Sequence, residues 1–425
     1  MGALLCCLPP LALLALIRVD GVNVPNTDDW YLISLLQRLD HGHLSLAALW
    51  AQHFEGRLIV SDSVMLGLAV VTRVDLKLAM YAGWVLLTLA CLGLALLLRR
   101  HSRLGWWWLL PISLLLFSLQ QYGVVLAAFL LSAYLVLPCL VAMIWALLRA
   151  RRSRGFYLLA VALSLIATYS ISQGLAFWPA GLALLVVSGQ SVRRALIWVG
   201  CAIVAVAIYA QGYTFQGSGG NLGWIASHPG GALTFFLEFL GGLVPRSSRI
   251  GWAGTEQAAL GLLVLLAGLA VVALAVWHRE RLEELWVPAT LICFGLAVGL
   301  LTTSGRAQFG VGYALEPRYD LFALWVLAGV WAALAVLWRR SGATWAGGAL
   351  VLAGLVCAFQ VVLSFHAGLD SGRQLRHDRE VAVGVVRDYR TASPEEVQRY
   401  VFGHVDEFRQ RAGFLEQHRL SVFRR

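Results

Sequence analysis

Residues 79–98 read AMYAGWVLLTLACLGLALLL, an uncharged run that Arg99 and Arg100 follow directly. A helix of about 20 apolar residues is long enough to cross the hydrocarbon core of a bilayer. Similar runs recur along the chain, and the sequence therefore predicts an all-α polytopic membrane protein with about eleven transmembrane helices. The predicted spans are 3–17, 79–98, 106–121, 123–148, 156–171, 174–188, 195–211, 257–277, 286–304, 320–338 and 344–364.

The composition of the whole chain agrees with this class. Of its 425 residues, 59% are hydrophobic and 13% are charged, and the mean hydropathy is +0.74. Soluble proteins carry about 25% charged residues. These values exclude a disordered chain, a soluble secreted enzyme and a disulfide-bonded scaffold. The seven cysteines all lie in apolar runs, where cysteine behaves as a small buried hydrophobic residue, so we assign them no redox or metal-binding role. No cofactor is expected, and no metal ligand is predicted.

The arginines indicate how the spans are oriented. Basic clusters follow the second, fourth, sixth, eighth and tenth spans, and short cytoplasmic loops carry such an excess. The N-terminus is therefore predicted inside and the C-terminus outside, and much of the net charge of +10 reflects topology rather than nucleic-acid binding. The predicted outer connections are 18–78, 212–256, 305–319 and the tail from His366.

This topology divides the chain into two predicted parts. Residues 1–365 form a transmembrane domain, and residues 366–425 form a small extracytoplasmic helical tail. A short apolar stretch at 232–245 is expected to be re-entrant or interfacial. Lys77 is the only lysine, and this arginine bias, with much Ala, Leu, Gly and Val, points to a bacterium with a GC-rich genome and hence to its inner membrane.

The carboxylates are distributed unevenly, and this indicates where chemistry is expected. Seven of the 23 acidic residues lie within 18–78, and none follows until Glu238. Ion-coupled transporters usually carry an ionisable residue near mid-membrane, but the middles of the spans from 79 to 211 contain no acidic or basic residue. Any chemistry is therefore expected on the outer face, above all in the helical first outer loop at 18–78.

Two motifs in this loop are candidates for a site. Asp28-Asp29-Trp30-Tyr31 precedes an amphipathic run, and its aspartates either cap a helix or supply a catalytic carboxylate. In the second motif, at 52–57, His53 and Arg57 are predicted to share a helical face at positions i and i+4. That face is either the solvated side of an interfacial helix or a site for an anion or a hydroxyl group.

Two outer arginines and one glutamate are further candidates. Arg306 and Arg318 lie in the last outer loop, where the positive-inside rule disfavours arginine, so each either binds a phosphate or forms a structural ion pair. Glu238 lies in an apolar run, where an unpaired carboxylate is costly, so it either pairs with an arginine or binds a substrate. Second-rank candidate cations are Arg57, Arg246 and Arg249.

These motifs resemble those of a known superfamily. An Asp-Asp-Trp after the first span, a long helical outer loop and many spans are similar to the GT-C glycosyltransferases, which use sugars on polyprenyl-phosphate or polyprenyl-diphosphate carriers. The chain most resembles a bacterial branch in which the second motif tends to read Gln-His-Asn-Glu-His-Arg; here Phe54 and Gly56 replace the Asn and the second His. The pieces that carry the resemblance are Asp28-Asp29-Trp30, the motif at 52–57, Phe117–Tyr122, Ser172-Gln173-Gly174 with Trp178-Pro179, Phe236–Gly241, Gly305-Arg306-Ala307 and Glu316–Tyr319.

The resemblance implies a function. It implies an inverting hexosyl- or pentosyltransferase that moves a sugar from a polyprenyl-phosphate carrier to a cell-envelope glycan, lipid or polysaccharide acceptor, among membrane lipids and without nucleic acid. Spacing alone favours Asp29 as the more rigid catalytic carboxylate, whereas the resemblance favours Asp28 as the general base, with Asp29 orienting it or the acceptor. The expected substrate-binding residues are His53, Glu55, Arg57, Gln120, Gln121, Glu238, Arg306, Arg318 and Tyr319.

Two other functions remain open on the sequence. One is a lipid or polysaccharide transporter or flippase, which would explain the many spans but not the one-sided carboxylates. The other is a noncatalytic GT-C-like subunit of an assembly that makes a polymer. Separate replacement of Asp28 and Asp29 distinguishes an enzyme from both.

Overall fold

The computed structural model describes residues 1–214, 221–242, 255–342, 344–401 and 403–424, which are almost entirely helical. The elements before residue 120 are α1 (Gly2–Leu5), α2 (Leu8–Asp20), α3 (Asp29–Asp40), α4 (Leu46–Trp50), β1 (Gln52–His53), β2 (Gly56–Arg57), α5 (Ile59–Thr72), α6 (Leu76–Arg100) and α7 (Trp106–Leu116). Those up to residue 242 are α8 (Tyr122–Val125), α9 (Leu131–Arg149), α10 (Arg154–Thr168), α11 (Phe177–Val187), α12 (Val192–Tyr209), α13 (Asn221–Ser227) and α14 (Pro229–Gly241).

The remaining helices include the longest in the chain. They are α15 (Thr255–Trp277), α16 (Trp286–Arg306), α17 (Pro317–Ser341), α18 (Thr344–Arg387), α19 (Pro394–Tyr400) and α20 (Val405–Gln417). Short 3₁₀ turns lie at Leu119–Gln121, Ala128–Leu130, Ser172–Ala176, Glu283–Leu285, Ala307–Phe309, Val311–Leu315 and Ser421–Phe423.

The helices confirm a polytopic, all-α membrane protein. Within the described ranges, nine helical segments are long and apolar enough to cross a membrane. Two predicted spans, 156–171 and 174–188, correspond to the shorter apolar helices Arg154–Thr168 and Ser172–Val187. The nine segments are Gly2–Asp20, Leu76–Arg100, Trp106–Val125, Ala128–Arg149, Val192–Tyr209, Thr255–Trp277, Glu283–Phe309, Pro317–Ser341 and Thr344–Arg387.

Local sequence explains where several helices begin and end. The Asp75 carboxylate accepts a hydrogen bond from the Leu78 N–H at 3.1 Å and so caps the start of α6. Ser393 and Glu396 form a reciprocal capping box at the start of α19. At the other end of a helix, Gly342 ends α17 with a φ of +59°, a conformation that glycine adopts without steric cost.

The motif at 52–57 is a β-hairpin and not part of a helix. Gln52 pairs with Arg57 and His53 with Gly56 in an antiparallel ladder, and Phe54 in the turn has a φ of +49°. The prediction that His53 and Arg57 share a helical face is therefore wrong. The hairpin is held from outside, because the Gln52 side chain donates to the Thr214 carbonyl at 2.7 Å and accepts from the Thr214 N–H at 2.9 Å.

The tail and the first outer loop pack together into one cap. Helix α18 continues without a break across residue 365, so its C-terminal part extends the last apolar segment directly into the tail. A second apolar core joins the two parts, in which the Trp30 ring lies 5.4 Å from that of Phe408. Polar contacts add to it, since Arg411 donates to the Trp30 carbonyl at 3.2 Å and Arg424 pairs with Asp75 at 2.8 Å. This cap covers one side of α3 and fixes the position of the Asp28-Asp29 motif.

Candidate functional site

A cavity of about 370 Å³ lies between the loop at 18–78 and the adjacent ends of the membrane helices. Its lining comes from α9, α12, α16 and α17 and from the hairpin at 52–57. Six of the eleven predicted site residues line it, and apolar side chains cover most of the remaining wall. These six are Asp28, His53, Glu55, Arg306, Arg318 and Tyr319.

The two neighbouring aspartates have different environments. Asp29 is buried, and its carboxylate accepts from the N–H groups of Asn26 and Phe129, each at 3.0 Å. Burial raises the pKa of Asp29 to about 6, although these two backbone hydrogen bonds oppose the shift. Asp28 flanks the start of α3 but makes no capping hydrogen bond, and its side chain, 31% exposed, lines the cavity. Asp29 therefore links the loop to the start of α9, whereas the Asp28 carboxylate is open to a ligand.

A second cavity, of about 390 Å³, adjoins the first next to the C-terminal part of α18. It is lined by the motif at 26–29, by Tyr122 and Tyr313, and by Arg379 of α18. Four residues belong to the walls of both cavities, and only two of these carry a charge. The four are Asp28, Phe129, Leu130 and Arg318.

His53 is held beside Asp28 by aromatic packing. Its ring stacks on Tyr31, with 4.1 Å between centroids, and lies 5.3 Å from the ring of Phe129. The Nε2 atom is 3.9 Å from Asp28 Oδ1, which is too long for a hydrogen bond, and it has no other hydrogen-bond partner among the described residues. Burial lowers the pKa of His53, and the nearby Asp28 carboxylate opposes this. A neutral imidazole therefore faces the carboxylate across a gap that is too long for a hydrogen bond.

Arg306 and Arg318 make different contacts. Arg306 pairs with Glu55 through an Nη2–Oε2 contact of 2.5 Å, so it takes the ion-pair alternative, with a partner in the first outer loop. Arg318 donates to the Tyr313 hydroxyl and lies over the rings of Tyr313 and Tyr319, at 5.2 and 5.3 Å from their centroids. Its Nε atom is buried and has no hydrogen-bond partner in the described part of the chain. Arg318 is thus a cavity cation with which no carboxylate of the described residues forms an ion pair.

The remaining predicted residues lie away from the cavity lining. Arg57 is buried and donates to the carbonyls of Trp50, Tyr209 and Gln211, so it ties the hairpin to the end of α12. The side chains of Gln120 and Gln121 are buried too and donate to the carbonyls of Gly242 and Leu116 respectively. Glu238 is buried within α14. Arg246 and Arg249 lie outside the described residues.

Sequence reasoning missed Tyr31 and Asp62 as parts of the site. Asp62 is fully buried in α5 and accepts a hydrogen bond from the Tyr31 hydroxyl at 3.3 Å. Burial raises the pKa of Asp62 to about 7, and the Tyr31 hydroxyl opposes the shift. Asp62 thus supports the ring on which His53 stacks. A single carboxylate within the apolar run at 59–72 was the available signal.

Arg379 was also missed, because it lies in the tail that the sequence treats as a separate cap. Helix α18 carries it back over the second cavity, where it is 5% exposed and donates to the Leu126 carbonyl. Its Nε atom has no hydrogen-bond partner within the described ranges. The second cavity therefore has two arginines, Arg318 and Arg379, with buried donors that the described residues leave unused.

The chemistry that this arrangement permits is proton transfer and anion binding. Within the described part of the chain, no group of three or more His, Cys, Asp or Glu side chains is placed to hold a metal ion. Comparisons of the chain with protein-family models, with curated proteins and with solved structures found no match. What the site does is therefore inferred from its geometry.

Proposed function

We propose that the chain is an inverting glycosyltransferase of the GT-C type, which transfers a sugar from a polyprenyl-phosphate carrier to an acceptor hydroxyl. One observation carries this proposal: Asp28 and Arg318 are the charged residues in the wall that two adjoining cavities share. A sugar transfer needs a base that takes the proton of the acceptor hydroxyl and a cation that stabilises the phosphate leaving group of the donor. Both groups must lie where the two substrates meet. The basic loops at the opposite ends of the spans favour the extracytoplasmic face as its location.

Asp28 is assigned the role of general base. As the acceptor oxygen forms its bond to the anomeric carbon, its proton passes to the Asp28 carboxylate, and the bond from that carbon to the carrier phosphate breaks. Attack from the face opposite the leaving group inverts the anomeric configuration. The phosphate leaves as a stable anion, so no general acid is required. The exposed carboxylate of Asp28 and the committed hydrogen bonds of Asp29 support this assignment.

Arg318 is assigned to the carrier phosphate. Its guanidinium lies in the shared wall, and no carboxylate of the described residues forms an ion pair with it. Negative charge grows on the phosphate oxygens during transfer, and a preorganised guanidinium in a half-enclosed site stabilises it. Arg306 is already paired with Glu55 and therefore takes the supporting position.

The apolar side of the first cavity fits a lipid-linked donor better than a water-soluble one. Leu175, Val206 and Leu301 line it at the outer ends of helices that carry exposed apolar side chains farther along, such as Ile203. An isoprenoid chain that leaves the cavity between these helices remains in an apolar environment. A soluble nucleotide sugar would gain nothing from such a wall.

The proposal is tested with the purified full chain in lipid nanodiscs. Polyprenyl-phosphate sugars with radiolabelled hexose or pentose are supplied together with a cell-envelope extract as acceptor, and the release of unglycosylated carrier is measured. Carrier release by the wild type that Asp28→Asn abolishes supports a glycosyltransferase. If donors bind but no donor is consumed, while labelled lipid crosses the bilayer, the chain is a flippase instead.

A further inference from the structure

A second cleft, of about 670 Å³, lies far from the Asp28 cavity, between α6 and α9 at the arginine-rich ends of these helices. Ser132 and Ala133 of α9 line the Asp28 cavity, whereas Arg149 of the same helix lines the cleft. At 1.5 Å per residue, about 25 Å of helix separates the two places. Whatever occupies the cleft is therefore not the group that reacts at Asp28.

The wall of the cleft is apolar over most of its depth. Leu89 and Leu96 of α6 face Val141 and Ala142 of α9 across it. Leu89 is 54% exposed and Leu96 is 41% exposed, although both lie in a helix that is apolar enough to span the membrane. Such side chains are in contact with lipid. The cleft therefore opens sideways toward the hydrocarbon region of the bilayer.

The rim of the cleft is cationic and has no acidic residue. Arg100, Arg149 and Arg152 line it, and among the described residues none of the three has a carboxylate within ion-pair distance. The nearby Glu284 forms ion pairs with two other arginines, Arg340 at 3.2 Å and Arg339 at 3.7 Å. Three guanidinium groups thus remain available to an anion at the level where lipid headgroups lie.

Local packing preorganises this rim. The Arg149 guanidinium lies over the Trp145 ring, 4.4 Å from its centroid, and this contact holds the charge at the cleft. Below the rim, Gly93 lets α6 approach α9 closely, because a Cβ atom there would lie 2.9 Å from Val141 Cγ1. The floor of the cleft is therefore closed while its rim stays open.

We infer that this cleft binds an anionic phospholipid, with its phosphate on the three arginines and an acyl chain along the apolar wall. Arginine forms bidentate hydrogen bonds with phosphate oxygens, and basic pockets between membrane helices suit phospholipid headgroups. The apolar wall argues for a lipid rather than for a soluble phosphate, because a free anion would leave that wall uncovered. The site does not depend on the proposed transferase reaction.

The test uses native mass spectrometry of the delipidated full chain, titrated with phosphatidylglycerol, cardiolipin or phosphatidylcholine of matched acyl chains. Wild type is expected to bind the two anionic lipids at least about tenfold more tightly than phosphatidylcholine. The triple variant Arg100→Gln/Arg149→Gln/Arg152→Gln should lose this preference. The matched control is Arg103→Gln/Arg193→Gln/Arg281→Gln, which removes the same charge from exposed positions outside the cleft and should keep the preference.

Two further arms separate a lipid site from a general charge effect and from a site for free phosphate. Ala142→Phe fills the apolar wall without changing charge and should weaken lipid binding, whereas inorganic phosphate at millimolar concentration should not displace the lipid. Equal loss in the two triple variants would show a general charge effect and overturn the proposal. Displacement by phosphate alone, or full lipid binding by Ala142→Phe, would overturn it as well.

Discussion

Asp28 and Asp29 show how a step of one residue changes the environment of a carboxylate. Both precede the same helix, yet Asp29 turns inward to two backbone N–H groups and Asp28 turns toward the shared wall of two cavities. On the sequence, spacing favours Asp29 and the resemblance favours Asp28, and we chose Asp28 as the general base. The deciding partner, the Phe129 N–H, lies a hundred positions away, and no local pattern indicates that contact.

We predict that replacing Arg318 and replacing Arg306 have unequal effects on catalysis. Arg318→Ala should lower kcat/KM by about 30- to 1,000-fold, which corresponds to about 2–4 kcal/mol of lost charge stabilisation in the transition state. Arg318→Lys should restore only part of this, since an ammonium group lacks the guanidinium fork. Initial rates of donor consumption provide the measurement. Arg306→Ala is the matched comparison and should cost less, because Arg306 already pairs with Glu55.

If Arg306→Ala lost more activity than Arg318→Ala, the contact with the carrier phosphate would be assigned to Arg306 instead. Full activity of Arg318→Ala would leave this arginine as a structural partner of Tyr313 and Tyr319. A large loss in Arg306→Ala alone would place the carrier near Glu55.

Asp62 predicts a pH dependence of stability. Its pKa is raised to about 7 in the folded chain, against about 4 in an unfolded one, so between these values the folded state retains a proton that the unfolded state has lost. Stability therefore falls as the pH rises through this window, by about 2–3 kcal/mol between pH 5 and pH 8. Asp62→Asn cannot ionise and should lack this part of the loss. Thermal unfolding in detergent at both pH values measures it.

Comparing Asp62→Asn with wild type isolates the contribution of Asp62. The pKa of Asp29 is also raised, but Asp29 titrates in both of these proteins, so its contribution cancels. If the difference in Tm between Asp62→Asn and wild type is the same at pH 5 and pH 8, then Asp62 is ionised throughout this range in the folded protein.

At the scale of elements, helix α18 links the membrane region to the cap and depends on close packing. Gly368 lies against Leu119, and a Cβ atom there would overlap the Leu119 carbonyl oxygen. Gly384, farther along the same helix, has open space around it. The two glycines therefore form a matched pair, one required by packing and one not.

Alanine at these two positions should have opposite effects. Gly368→Ala should destabilise the protein by about 1–3 kcal/mol, because either α18 or the turn at Leu119–Gln121 must move. Gly384→Ala should stabilise it by up to about 1 kcal/mol through helix propensity. Thermal unfolding of both variants tests this. A stabilising Gly368→Ala would show that α18 does not approach Leu119 so closely.

The membrane helices were predictable from sequence and the hairpin was not. A long uncharged run such as 79–98 indicates a membrane span by itself. Its conformation follows, because a single segment in lipid satisfies all its backbone groups only as a helix. The motif at 52–57 instead depends on Thr214 and on the carbonyl groups that Arg57 meets at the end of α12. Gly56 within the motif was the local sign against a helix. The strand pairing of the motif at 52–57 depends on tertiary contacts, so the periodicity of the sequence does not predict it.

At the scale of the whole molecule, the cap and the Asp28 cavity lie at the same end of the helix bundle. The tail contacts α3 directly through Phe408 and Arg411, and the arginine clusters favour a cytoplasmic position for the opposite boundary. The C-terminus is therefore expected outside the cytoplasm. A reporter that is active only in the cytoplasm, fused after Arg425, should be silent, and one that is active only outside should work. Clear cytoplasmic activity would reverse the orientation and with it the location of the site.

The most direct test of the central claim compares Asp28→Asn with Asp29→Asn in one transfer assay. Each change removes a proton acceptor while keeping the side chain's size. Asp28→Asn should abolish carrier release, retain donor binding and unfold at the wild-type Tm. Asp29→Asn should retain measurable transfer but lower the unfolding free energy by about 1–3 kcal/mol, since one buried N–H loses its acceptor. Normal turnover by Asp28→Asn would contradict the proposed mechanism.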